Sequence, residues 1–274
     1  MFHILTPPFV LEAYAANQLH ESSTAVCLFV DTAGFTPLTS ALMTHGTEGA
    51  EVLAQVLAGI FTPLLTIVYE QGGYVAGFAG DAFKAIFPGL SAASHQCAIT
   101  AAWQIRQHLL AQPIQTTRFG AFRFAVKVTV ASGPVEWRIL RAGVNATGVA
   151  QQAALFFGGT ALAQTLAADP LVKAGEIVLT AAVAEQLPTT AATLTPVADH
   201  FRLDDWSLNL PPTAPPAPHP ARLSTLESAP LAIRHPPPAT HPSPLAHHFF
   251  PTELLERQTQ GEFRQVVTVF VNFQ

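Results

Sequence analysis

Two carboxylates stand where a chain can do chemistry. Asp31 ends the apolar run "TAVCLFVD" and opens the small-residue loop "TAGFT", while Asp81 lies in "AGDA", between "YVAGF" and "FKAIF". The apolar run reads as a buried strand, and the two segments around "AGDA" read as a β-hairpin with Gly and Asp in its turn. A strand end and a hairpin tip of one sheet can lie side by side. Two carboxylates placed so repel each other unless a cation sits between them, and oxygen ligands suit Mg²⁺ or Mn²⁺. The loop "TAGFT" adds backbone N–H groups from small residues, leading towards a helix N-terminus, an arrangement that can cradle phosphate. It is not a GxxxxGK[ST] phosphate loop, which the chain lacks. On residue types alone the plainer alternative stands: an Asp after a strand is usually a turn or cap residue, and Gly-Asp in a hairpin is usually only a turn.

The elements that would position these groups are legible around them. Leu53, Val56, Leu57, Ile60, Phe61, Leu64, Leu65 and Val68 recur at three- and four-residue steps, which puts them on one helix face. Pro63 interrupts that helix with the potential to bend it, and "QGG" closes it. Residues 91 to 112 read as a second long helix. In "FRFAVKVTVAS", Phe122, Phe124, Val126, Val128 and Val130 alternate onto one face of a strand. Beyond it "AALFFGG", the run from Thr160 to Ala168, and "EIVLT" give strand, helix, strand. The order predicts an α+β fold, an antiparallel-rich sheet with helices mainly on one face.

Composition narrows the class. The net charge is −5, so the clustered Lys and Arg of a nucleic-acid surface are missing and no nucleic acid is expected as a partner. Cys27 and Cys97 sit in apolar stretches and read as reduced thiols, not as a disulfide or a metal site. No run approaches the roughly 20 uninterrupted apolar residues of a membrane span, and the N-terminus has no positive leader, so a cytoplasmic protein without a membrane span is expected. Trp137 and Trp206 read as packing residues, Asp204 and Asp205 as a solvated strand end, and Lys84 and Lys127 as exposed strand lysines, although either lysine could reach a phosphate.

Residues 1–20 read as a lead-in, 21–207 as the main domain, and 208–248, rich in Pro, Ala and His, as a linker. Its His219, His235, His241, His247 and His248 are scattered among prolines and read as solvated, not as a metal site. The end of the chain then repeats the beginning. "VVTVFVNFQ" at 266–274 superposes on "AVCLFVDTA" at 25–33, with Val271 on Val30 and Asn272 on Asp31, and "FPTELLERQ" at 250–258 rhymes with "TPPFVLEAY" at 6–14. Residues 249–274 are therefore expected to begin a second, truncated copy, with Val266 to Val271 as its first strand.

The order of these motifs resembles the catalytic domain of class III nucleotidyl cyclases. "FVDTAGFTPLT" followed by "VLAQVLAGIFTPLLTIVYEQGGYVAGFAGDAFKAIFPG" is similar to the family pattern FxDxxGFT, helix, GG, FAGDAxxAxF; "VTVASGPVEWRI" and "FFGGTALAQTLAADPLVKAGEIVLT" resemble later units of the same domain. The overall likeness is to the first domain of the tandem soluble, bicarbonate-responsive adenylyl cyclases. The resemblance implies a ferredoxin-like cyclase fold that pairs with a second cyclase domain, in the same full-length chain or as a dimer partner. It implies conversion of a nucleoside triphosphate, ATP, into 3′,5′-cyclic AMP and pyrophosphate in intracellular signalling. In that scheme Asp31 and Asp81 are catalytic and hold two Mg²⁺ or Mn²⁺ ions with the backbone carbonyl of Thr32. One ion lowers the pKa of the ribose 3′-hydroxyl and the other clamps the triphosphate. The amides of Ala33, Gly34 and Phe35, with the Thr36 hydroxyl, hold the β- and γ-phosphates.

Three departures shape the expectation. The late helix "TALAQTLAAD" carries neither the Asn nor the Arg with which the family orients ribose and steadies the transition state. Gly77 stands where bicarbonate-responsive relatives carry a Lys, which puts bicarbonate control in doubt. Asn272 stands where the second copy would carry its first metal Asp. The first and third fit a division of labour, in which this domain carries the metals and its partner carries Arg, Asn and the base-reading residues. This chain alone is then expected to have little or no activity. The competing expectation is a catalytically inactive nucleotide- or anion-sensing module.

Overall fold

The computed structural model describes residues 7–144 and 150–208, together with Leu245, His248 and Phe249. One large sheet organises the chain, with strands in the order β2 (Tyr74–Ala79), β3 (Ala82–Pro88), β1 (His20–Ala33), β6 (Ala125–Val144), β8 (Ile177–Thr180), β10 (His200–Trp206) and β9 (Ala192–Val197). β7 (Ala150–Gly158) pairs with the outer half of β6 and makes a long hairpin arm. Among the described strands of this sheet, the β6–β8 pairing is parallel and the others are antiparallel. A separate two-stranded ribbon, β4 (Ile114–Thr117) and β5 (Gly120–Arg123), leads into β6.

β1 is central because it alternates and is buried on both sides. Val26, Leu28 and Val30 point into the main core, and Ala25 and Cys27 into a smaller one on the opposite face. The main core is filled by α3 (Gly46–Glu70) and α4 (Ala92–Ala111), with α2 (Phe35–Met43) and α6 (Ala181–Ala184) beside them. α5 (Thr160–Ala168) covers the other face through Ala161 and Leu162. The expected α+β sheet with helices mainly on one face is what forms. The predicted stripe on the first long helix is the one that packs: Val56, Ile60, Leu64, Leu65 and Val68 are buried. Phe124, Val126, Val128 and Val130 share the same core, with Phe122 packed at its edge from β5.

Several features differ from the sequence expectation. α3 runs on through Pro63 as one helix. The carbonyl that Pro63 leaves unbonded belongs to Gly59, an exposed residue, so water can satisfy it. α3 is also long and apolar enough, by length and composition, to cross a membrane. Its stripe Val56, Ile60, Leu64, Leu65 and Val68 packs into the main core. The lead-in contains a helix, α1 (Pro8–Ala15), whose Val10, Ala13 and Tyr14 pack on Trp137 and Ile139 of the arm. Asp204 is not a solvated end: its carboxylate accepts hydrogen bonds from Thr195 Oγ1 and from Arg202 Nε at 2.7 Å. Those bonds, Thr195 first, hold it below the usual carboxylate range.

Trp137 and Trp206 are buried packing residues as expected, and Trp206 Nε1 donates to Thr100 Oγ1 at 3.0 Å. Cys27 is buried, and burial pushes its thiol up to about 12, so it is inert at neutral pH. The expected linker, apart from Leu208, Leu245 and His248, and the expected strand Val266 to Val271 lie outside the described residues.

Candidate functional site

β1 carries Asp31 two residues before its end, so the carboxylate sits at the rim of the sheet with a neighbour on each side. Asp31 is opposite Ala82 on β3 and opposite Lys127 on β6. Asp81 immediately precedes Ala82, in the β2–β3 turn that Gly80 makes at φ +65°. The Thr32 amide donates to the Asp81 carbonyl at 3.3 Å, locking the turn to the strand end. In extended backbone the N–H and C=O of one residue project to the same side, so the Thr32 carbonyl also faces the Asp81 edge. The strand end and hairpin tip expected to lie side by side therefore do.

Lys127 is the residue that sequence reasoning placed wrongly. It is not an exposed strand lysine: its ammonium lies 2.6 Å from the Asp31 carboxylate and 3.1 and 3.2 Å from the two Asp169 oxygens. Burial favours the neutral amine, but the hydrogen bonds and charges of Asp31 and Asp169 outweigh it and raise the lysine above its ordinary value. Alternation in "FAVKVTV" did place Lys127 on the face away from the apolar core. What the sequence hid was the register that sets it against Asp31, and the return of the chain after α5 that brings Asp169. Lys84, opposite Phe29, lies on the same sheet face as Asp31, two positions along.

The loop expected to cradle phosphate is set by one glycine. Gly34 adopts φ +113° and precedes the first turn of α2, whose N-terminus has no side-chain cap. A Cβ at this position would stand 2.1 Å from the Arg123 carbonyl oxygen, so only glycine lets the loop pass over the junction of β5 and β6. The result is a helix start without a side-chain cap, its N-cap Gly34 three residues from Asp31. Ala33, Gly34 and Phe35 are half-buried and Thr36 is exposed at the mouth.

α5 supplies no cation. Its buried side is Ala161, Leu162, Thr165 and Ala168, anchored where Thr129 Oγ1 donates to the Thr165 carbonyl at 2.9 Å. Its exposed side is Ala163, Gln164, Leu166 and Ala167. Gly77 sits at a β-bulge with open space around its Cβ position, so no side chain fills the place of the expected Lys.

The donor set fits a hard divalent cation. The Asp31 strand end and the Asp81 turn meet at this rim and offer oxygen donors, and the ammonium against Asp31 marks a position that accepts positive charge. Among the described residues, no three His, Cys, Asp or Glu side chains cluster as a zinc-type site would require.

No protein-family model and no curated relative matches the chain. Solved structures do. The guanylyl cyclase domain of the RhoGC fusion protein from the aquatic fungus Blastocladiella emersonii is similar at 15% identity and TM-score 0.54, over 69% of this chain and 99% of that one. The guanylate cyclase domain of RhGC from Catenaria anguillulae, in complex with GTP, is similar at 14% identity and TM-score 0.53, over 68% and 99%. The adenylyl cyclase CyaB from P. aeruginosa is similar at 16% identity and TM-score 0.50, over 69% and 99%. The fold is that of nucleotidyl cyclase catalytic domains.

Proposed function

We propose that this chain is the metal-bearing half-site of a nucleotidyl cyclase. Paired with a second cyclase domain, it would convert ATP to 3′,5′-cyclic AMP and pyrophosphate in cytoplasmic signalling. The observation that supports this reading is that the end of β1 at Asp31, the β2–β3 turn at Asp81 and the start of α2 lie at one rim of a cyclase-fold sheet.

Asp31, Asp81 and the Thr32 carbonyl would hold two Mg²⁺ or Mn²⁺ ions. Bound there, the ions would supply a lowered pKa at the ribose 3′-hydroxyl and charge neutralisation at the triphosphate. The amides of Ala33, Gly34 and Phe35, with the Thr36 hydroxyl, bind the β- and γ-phosphates and so orient the α-phosphorus for in-line attack by the 3′ oxygen, with pyrophosphate leaving. If Asp31 held an ion, Lys127 would still have Asp169 as its partner, so the pair would stay at the rim with no net charge. The exposed face of α5 carries Gln164 but no cation to stabilise the pentacoordinate phosphorus, so that charge would come from the partner domain. The partner would meet the arm, where Leu140 and Phe156 are 57% and 54% exposed.

The bare face of α5 also favours a second reading, a nucleotide-sensing module without turnover. An assay with ATP and with GTP, in Mg²⁺ or Mn²⁺, separates the two. It compares this chain, the chain joined to a cyclase domain that carries the Asn and Arg, and that fusion with Asp31→Ala. Activity only in the fusion, reduced at least about a hundredfold by Asp31→Ala, is expected. Activity of the short chain alone would overturn the split site. Silence in every form, with nucleotide binding retained, would establish the sensor.

A further inference from the structure

The apolar cluster at the outer end of the arm is built from three stretches of chain far apart in sequence. α1 contributes Val10, Ala13 and Tyr14, and β6 contributes Trp137 and Ile139. Leu245 and Phe249, from beyond the Pro-rich stretch, pack against the same cluster. Tyr14 is its hub. The ring centroid lies 5.2 Å from that of Phe249, edge to face at 70°, and 5.2 Å from that of His248. The Arg141 guanidinium stands 4.6 Å over the Tyr14 ring. That guanidinium is held by the Asn17 side chain at 2.7 Å and the Tyr14 carbonyl at 3.4 Å. The contact therefore rests on a prepared seat: a tyrosine oriented from the arm, next to a helix whose Val10 is fully buried.

The visiting residues have the spacing of an anchor. Positions 245, 248 and 249 are i, i+3 and i+4, one face of a helical turn. They lie immediately ahead of 250–258, the segment that rhymes with α1 and its approach. Resting on the reading of a second copy after residue 249, we infer that α1 and the outer arm form a docking surface for Leu245, His248 and Phe249 of the same chain. This clasp holds the entrance of the second cyclase copy beside the arm.

The clasp changes what the Pro-rich residues 209–244 do. As a free tether they would leave the second copy at an effective concentration of about millimolar. With Leu245 and Phe249 seated on the cluster, the second copy is held by that contact and not by the tether alone. The second copy then starts on the α1 face of the arm, opposite the face that carries Leu140 and Phe156.

Hydrogen–deuterium exchange on the full chain tests this. It compares wild type, the double variant Leu245→Asp/Phe249→Asp, and a control substitution within the Pro-rich stretch, His235→Asp. Amides of α1 and of Trp137 to Arg141 should exchange about tenfold faster in the clasp variant and unchanged in the control. β1 amides, protected in all three, report that the domain is folded. Equal protection of α1 in wild type and the clasp variant would overturn the inference. Protection of α1 that disappears on dilution would overturn it too, because the segment would then come from a second copy of the chain. The readout does not depend on chemistry. Docking without activity in the fused form sinks the cyclase reading alone, and activity without docking sinks the clasp alone.

Discussion

At the residue scale, the centre of the site is a charge arrangement more than a pair of acids. Lys127 bridges Asp31 and Asp169, with side chains only 21%, 23% and 30% exposed, so each charge depends on the others. Lys127→Met would leave two carboxylates facing each other without a cation. The expected cost is about 1–2 kcal/mol, between a surface pair and a buried one. The pH dependence has a definite sign. The folded-state pKa of Lys127 is raised above 10.5, so its contribution is complete below that value and is lost as pH rises through the higher folded pKa. Urea unfolding should show a constant gap between wild type and variant from about pH 6 to 9, closing above about pH 10.5. A gap that persists at high pH would mean the lysine acts through packing of its stem.

At the element scale, the position of α2 decides whether Asp31 has a phosphate cradle beside it. That position hangs on Gly34. Gly34→Ala combines a backbone conformation that L side chains avoid with a Cβ 2.1 Å from a carbonyl oxygen that cannot swing away. Thermal unfolding should report a loss of about 2–4 kcal/mol. Triphosphate binding should weaken further than that loss of fold explains, because α2 must shift to relieve the clash. Alanine at Gly46, also at positive φ but with open space at its Cβ position, is the comparison: it carries the conformational penalty without the collision. Similar losses at both positions would show that the backbone angle, not the close approach to Arg123, sets the requirement.

At the scale of the whole molecule, the sheet extends past its own helices. β6 is a 20-residue strand, and its outer half, with β7, carries the α1 cluster on one face and Leu140 and Phe156 on the other. Replacing both exposed residues with Asp changes no buried contact, so the fold should lose no more than about 0.5 kcal/mol. Pairing with the partner domain should weaken by about 2 kcal/mol or more, the cost of removing anchor residues from an interface core. Analytical ultracentrifugation of the two separated halves, alongside thermal unfolding, distinguishes these effects. Unchanged pairing would place the partner elsewhere.

Much of this was legible in the sequence because it is governed by short-range chemistry. The stripe of α3, the alternation of β6 and the hairpin around Asp81 follow from spacing, and the carboxylates with their glycine loop are contiguous motifs. α1 and the β9–β10 hairpin were missed because an eight-residue helix and two half-exposed strands carry little periodic signal. Sequence by itself determined the donor types at the rim and the lack of a cation on α5, since both are matters of which residues occur. Tertiary structure alone decided that Lys127 neutralises Asp31, that Asp169 holds it, and that Tyr14 seats Phe249. Each of those joins residues far apart in the chain through strand register and chain return, and only the folded sheet fixes both.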